Sequence, residues 1–204
     1  MNEKFYTLSA EKQRAIINAG YRVFSQNSYK KSPMSEIADA AGISKSLLFH
    51  YFHNKRELYL FLLETCVQTT IEYLQKYQCY EQGDLFEAMY RGLQAKVHLM
   101  KQYPDMGTFV IKAYYEKDEA VCDDVKGYII KYGSYQAMAG VLNLDPEQFV
   151  PGLDLQMMYQ DMYLAGQGYL WEKLQYDDVD VEQMEQDFAK MIAFWKSIYL
   201  RKEE

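Results

Sequence analysis

Cysteine is scarce in this chain of 204 residues: Cys66, Cys79 and Cys122 are an odd number at wide spacings. No CxxC pair occurs and there are only three histidines. A zinc site or disulfide framework is therefore not expected, nor is any cofactor, and a reducing cytoplasm is the natural compartment. No 18-residue stretch lacks charge, so no membrane span is expected. Met1 to Ser9, with Glu3 and Lys4, lack the apolar core of a secretory signal. Long Val/Ile/Thr alternation is missing, which leaves almost no room for sheet. Catalytic signatures are missing too: there is no GxSxG, HExxH, phosphate loop or dinucleotide fingerprint. His98 stands alone on its helix, with no Ser or Cys partner to place beside it. An enzyme is not expected.

The chain has 49% apolar and 25% charged residues, an ordinary globular composition. At this length folding buries about 70% of the unfolded surface, so no staple is needed. The net charge is −7, but it is unevenly spread. Residues 1–58 hold nine Lys/Arg against five Asp/Glu, and the remaining residues hold thirteen against twenty-four. A small basic end on a larger acidic body suggests two jobs, with polyanion contact at the N-terminus.

Apolar spacing is helical nearly throughout. Glu11 to Phe24 forms a first helix with Ala15, Ile16, Ala19, Val23 and Phe24 on one face and Ser9 as cap. Ser32-Pro33 opens a second, short helix, with Ser as cap and Pro at the first helical position. Gly42 stops it. Ser44 caps a third helix from Lys45 to about Tyr51. Asn54, with Glu57 three residues on, opens a fourth that runs to about Gln78. Further helices are expected near 84–102, 104–115, 119–141, 154–174 and 181–202.

The informative stretch is Ser32–Leu58. Two short helices joined by a tight glycine turn precede a longer helix, the layout of a helix-turn-helix. The third helix offers Lys45, Ser46, Leu47, Phe49, His50 and Tyr51, a mixture of cation, hydroxyl and aromatic edges suited to phosphates and base edges. Glu36-Ile37-Ala38, Ala41-Gly42-Ile43-Ser44, Leu48-Phe49-His50-Tyr51-Phe52 and Asn54-Lys55-Arg56-Glu57-Leu58 together resemble the DNA-binding domain of the TetR family of transcriptional regulators, over roughly residues 9–60.

That resemblance implies an all-α fold: a three-helix DNA-binding domain over 1–58, then a larger helical effector-binding and dimerisation domain over 59–204. It implies a homodimer on double-stranded DNA and a small-molecule effector. Carried over by position, Lys45, Ser46 and Phe49 match base or groove-edge contacts. Leu47, His50 and Tyr51 match backbone or groove-wall contacts, and Lys55 matches a phosphate-gripping lysine at a helix start. Where many family members have Thr, this chain has Pro33, so a hydroxyl contact there shifts to Ser32 or Ser35. Leu47 replaces a frequent Thr and suggests contact with a thymine methyl. Phe49 replaces a frequent Tyr.

In the C-terminal body, Val181, Met184, Phe188, Met191, Trp195 and Ile198 repeat at spacings of three and four. Leu155, Met158, Met162, Ala165 and Tyr169 share one side of the preceding helix, and Met157, Leu164, Gly168 and Trp171 another. These two helices are expected to pair with their symmetry mates through Met158, Met162, Ala165, Tyr169, Phe188, Met191 and Trp195. Burial of both faces inside one subunit is the competing reading. Twenty tyrosines are many for this length. Met89, Leu93, Phe109, Tyr128, Tyr132, Tyr159 and Tyr163 are candidates to line an apolar pocket for an aromatic or lipophilic effector. The expected function is a dimeric repressor released from a near-palindromic operator by such an effector. Control by a protein partner is the alternative, favoured by a body without a cavity.

Overall fold

The computed structural model describes residues 3–79, 84–128, 130, 144–175 and 180–202. Tyr132, Tyr135 and Met138 lie outside the described residues, as does the second half of the helix expected over 119–141. Among the described residues there are nine α-helices: α1 (Ala10–Gln26), α2 (Met34–Ala40), α3 (Lys45–Tyr51), α4 (Lys55–Lys76), α5 (Leu85–Gln102), α6 (Met106–Tyr114), α7 (122–128), α8 (Leu155–Gln175) and α9 (Val181–Tyr199). No strand occurs among them, only an isolated antiparallel bridge between Phe149 and Leu200. The fold is all-α. By internal contacts the chain forms two compact units, residues 1–69 with 100–131, and residues 70–99 with 132–204. The expected functional boundary after residue 58 falls inside α4, and both α4 and α5 contribute to the two units.

Short polar side chains start the helices by taking up amide N–H groups that have no intrahelical partner. The Leu47 amide donates to Ser44 Oγ at 3.2 Å, and the Glu57 amide to Asn54 Oδ1 at 2.8 Å. Asp84 accepts from Phe86 and Glu87, Asp154 from Gln156 and Met157, and Asp180 from Glu182 and Gln183. The start of α2 differs from expectation. Pro33 itself takes the cap position, without a side-chain hydrogen bond. Ser32 is fully buried and its hydroxyl donates to the Ser28 carbonyl at 2.9 Å, which spends it inside the loop.

The turn between α2 and α3 closes with paired bonds. The Ile43 amide donates to Ala38 O at 3.0 Å and the Gly42 amide to Asp39 O at 3.1 Å, while Gly42 sits at φ +68°. This is the Schellman arrangement, which needs a left-handed residue past the helix end. It turns the chain sharply enough to set α3 across α2.

The core of the first unit is aromatic. Phe5, Tyr21, Phe24, Phe52 and Phe109 are fully buried with Ile16, Ile37, Leu48, Leu58 and Leu62. Ala15 is exposed, outside the buried face of α1. Gly20 lets α1 approach α4: a Cβ there would lie 2.6 Å from Leu62 Cδ1. The Tyr21 hydroxyl then donates to the Leu62 carbonyl at 3.0 Å.

In the second unit Leu85, Phe86, Phe149, Met158, Met162, Ile192 and Trp195 form one buried cluster. Most residues of the expected dimer seam lie inside one subunit. Met158, Met162, Phe188 and Trp195 are buried within their own subunit, and Tyr169 and Met191 are half-buried; of the seven residues expected there, Ala165 alone is exposed. A three-four repeat marks a face that will be buried, but not by what. α8 and α9 each carry a second apolar face. There Met157 is 63% exposed, Leu164 58%, Phe194 61% and Ile198 44%.

Gly42 has open space around it, so replacing it tests the backbone alone. Gly42→Ala should lower unfolding stability by about 1–2 kcal/mol through the left-handed conformation. Urea titration followed by circular dichroism checks this.

Candidate nucleic-acid interface and internal cavity

α3 is seven residues long and divides cleanly. Leu48, Tyr51 and Phe52 are buried, while Lys45, Ser46, Leu47, Phe49 and His50 are exposed. Tyr51 departs from expectation. It stands three residues after Leu48, on the inner face, and its ring packs edge-on against Phe5 at 6.0 Å. Phe5 also contacts Phe52 at 5.2 Å and Phe61 at 5.2 Å. Tyr51 therefore supports the helix rather than presenting a surface. Phe5 was not picked out from sequence, since a lone aromatic before the first helix gives no periodic signal.

The outer face has chemistry suited to a duplex. Lys45 stands at the start of the helix, its ammonium 5.9 Å from the Phe49 ring. Ser46 shares a hydrogen bond with the capping Ser44 at 3.0 Å. Leu47 and Phe49 offer apolar edges between the polar groups. Ser35 is half-buried in the first turn of α2, and Lys30 and Lys31 are exposed in the preceding loop.

Lys55 is engaged internally. Its ammonium donates to the Tyr29 carbonyl at 2.7 Å and the Lys30 carbonyl at 3.2 Å, and lies 4.5 Å from the Tyr29 ring centre. Burial lowers its pKa, while the carboxylates of Asp118 and Glu116 act in the opposite direction. Glu116 also accepts from the Tyr29 amide at 2.8 Å. Arg56 donates to the Ala120 carbonyl at 2.8 Å and to Asp124 at 2.6 Å. The loop at 29–31 and the start of α4 are thus tied to residues 116–124. This latch was not legible in sequence, because its partners lie about 60 to 90 residues apart.

The second unit contains a cavity of about 90 Å³. Met89, Leu93, Tyr159 and Tyr163 line it, four of the residues expected to hold an effector. Phe109 does not. It is fully buried in the other unit, with its ring 5.2 Å from those of Tyr21 and Tyr59. Tyr128 also belongs to the other unit, where burial and Glu64 raise its pKa. Met162, Gly166 and Phe188 complete much of the apolar wall. A Cβ on Gly166 would touch the Phe188 ring at 3.5 Å.

Lys96 also lines the cavity. Burial lowers its ammonium to about 8, against only a small opposing effect from Cys79. No hydrogen bond or ion pair joins it to another described residue. The sequence does hold a signal for it: Lys96 follows Met89 by seven residues and Leu93 by three, in register with an apolar stripe.

Among the described residues no cluster of His, Cys, Asp and Glu could hold a metal ion. No helix among them is long and apolar enough to cross a membrane.

Residues 16–61 match the model of the family described as bacterial regulatory proteins, tetR family. Over 61 residues the chain is 38% identical to the HTH-type transcriptional activator FasR of Mycolicibacterium smegmatis, an alignment covering 30% of this chain and 28% of that protein. Over 93 residues it is 28% identical to the HTH-type transcriptional regulator RutR of Escherichia coli K12, covering 46% and 43%. The chain spans less than half the length of these curated relatives. Solved structures extend the likeness along the chain. A TetR family transcriptional regulator from Chloroflexus aurantiacus superposes with a TM-score of 0.64 at 19% identity, covering 98% of this chain and 99% of that one. The fatty acid degradation regulator FadR from Bacillus halodurans does so with 0.57 at 18%, covering 87% and 96%. Identities this low speak for the fold.

Lys96 gives a stability prediction. Below pH 8 it is charged both folded and unfolded, and its burial cost is complete. Between 8 and its ordinary 10.5 the folded group loses its proton first, so stability rises with pH. Lys96→Met should stabilise the protein at pH 7 by roughly 1–3 kcal/mol, a gain that shrinks toward pH 10. Urea melts of both proteins at pH 7 and 9.5 check the size and its trend.

The chain carries a DNA-binding helix-turn-helix domain of the tetR family, on the fold of TetR-family regulators.

Proposed function

We propose that this protein is a homodimeric, sequence-specific transcriptional repressor, released from a near-palindromic operator when a small lipophilic or aromatic effector enters the unit of residues 70–99 and 132–204. The outer face of α3 carries the DNA-binding reading. Lys45, Ser46, Leu47, Phe49 and His50 stand exposed on a helix whose other side is fixed in an aromatic core. In this reading Lys45 meets a phosphate or guanine, and Leu47 and Phe49 meet thymine methyls and sugar edges. Lys55 holds the 29–31 loop in shape and reaches DNA by exchanging a carbonyl for a phosphate oxygen.

The dimer forms through the exposed apolar side of α8 and α9, with Met157, Leu164, Phe194 and Ile198 at its centre. An isologous contact of two such helix pairs makes a four-helix interface. It keeps Ile198 of the heptad repeat, whose Met184, Phe188 and Trp195 are already buried in their own subunit.

The cavity favours a small molecule over a protein partner as the controlling ligand. Coupling would run along α5, which lines the cavity and ends at Gln102, whose carbonyl accepts from Asn18 of α1 at 3.1 Å. α4 has the same reach, from the Lys55 latch to Leu74 in the cavity wall. The effector shifts a balance between two head spacings by binding one of them more tightly. Moving that balance from 1:99 to 99:1 needs a preference of about 10⁴.

Two measurements test this reading. Lys45→Ala should reduce the slope of log affinity against log salt by about one, as read by fluorescence anisotropy on an operator duplex. An unchanged slope would remove Lys45 from the interface. Phe194→Glu should turn the dimer into monomers in analytical ultracentrifugation, and a dimer that persists would place the interface elsewhere.

A further inference from the structure

In the second unit the half-buried Lys96 lines the cavity, and no hydrogen bond or ion pair joins it to another described residue. Of the described residues lining the cavity, Lys96 is the one with a charge at neutral pH, and none is Asp or Glu. A buried ammonium without a partner is costly and survives only where something compensates it. We propose that the cavity receives an organic anion, with its carboxylate on the Lys96 ammonium and its apolar body against Met89, Leu93, Met162 and Phe188. The inference rests on the effector reading above and names the ligand's chemical class.

The surroundings define the charge. Cys79, from the segment after α4, is pushed up to about 11 by burial, and the nearby Arg91 works against that rise. Tyr159, from α8, is pushed up to about 12 by burial, and the Tyr163 hydroxyl beside it is also raised. α9 contributes Phe188 to the lining. These described groups are therefore neutral below pH 10, and among the described lining residues Lys96 brings the one charge. A neutral lipophile would leave that charge unpaired and a cationic one would be repelled. A carboxylate pairs with it, and the Tyr163 hydroxyl in the same wall can donate to a second oxygen.

Size narrows the class further. A cavity of about 150 Å³ takes up benzene, and this one measures about 90 Å³. It suits a short aliphatic acid, or the head of a longer one whose remainder leaves through the open side. Pairing with an anion holds the proton on Lys96, so its pKa should rise on binding. Affinity should stay level between about pH 6, where the carboxylate is fully ionised, and pH 8, and fall by about tenfold per pH unit above it, until the pKa of the complex is reached.

The test uses the full chain, first without DNA and then on an operator duplex, and three matched probe pairs: butanoate, hexanoate and benzoate with their primary amides. Binding is measured by calorimetry. The ammonium is followed through the ¹³Cε signal of Lys96 in ¹³C-lysine protein, assigned with Lys96→Met. Hexanoate or benzoate should bind at least tenfold more tightly than its amide and raise the Lys96 titration by a unit or more. Lys96→Met should lose the preference while keeping its helical circular dichroism and its weak binding of the amide. Equal affinity for acid and amide, an unmoved Lys96 signal at saturation, or no binding by any probe would overturn the proposal. A carboxylate that binds through Lys96 but leaves DNA bound would support the anion site and count against effector release. Acid and amide that bind equally and both release DNA would do the reverse.

Discussion

α3 is too short to be a helix by itself. Seven residues fall well below the length at which an isolated helix holds in water, so its existence depends on burying one side. Leu48, Tyr51 and Phe52 do this against Phe5, Phe61 and the rest of the aromatic core. That one packing decides which residues face outward, and every proposed base or phosphate contact of α3 follows from it. The Gly42 turn and the Ser44 cap place the helix, and the core holds it at a fixed rotation. A reading surface rigid in this way loses little entropy on meeting DNA.

The head of the molecule was legible because its signals are local. Gly42, Ser44 and Asn54 act on amides within a few residues, and their effects need no knowledge of distant chain. The rotation of α3 was less legible. Tyr51 has a polar tip, and its placement beside Phe5 depends on a contact across 46 positions. The same limit shaped the C-terminal body. Heptad spacing in Phe188 and Trp195 reported correctly that a side would be buried. It could not say that Phe86, Phe149 and Met162 of the same subunit would bury Trp195, or that Phe188 would pack on Tyr169. Ile198 belongs to the same repeat yet stays exposed, as does Phe194 outside it. Among the aromatic candidates, Tyr159 and Tyr163 fell beside the cavity and Phe109 into the opposite core, a difference set by which helices meet. Lys96 is the instructive omission. A lysine in register with an apolar stripe was readable, but an inventory of aromatics passes over it.

The latch at 29–31 ties the helix-turn-helix to later chain within the same unit. Lys55, Glu116 and Arg56 fasten the loop before α2 and the start of α4 to residues 116–124. The ties are polar and mostly exposed, so each is worth little alone, while the rings of Phe24, Tyr59 and Phe109 beneath them are closely packed.

The central claim is that two copies of α3 read a symmetric DNA sequence. The most direct measurement is selection of bound duplexes from a randomised pool at two salt concentrations. An inverted repeat with half-sites about one helical turn apart, or a multiple of it, should be enriched at both salts. Binding that vanishes at the higher salt with no sequence enriched at the lower would contradict the claim and leave α3 as a non-specific phosphate clamp.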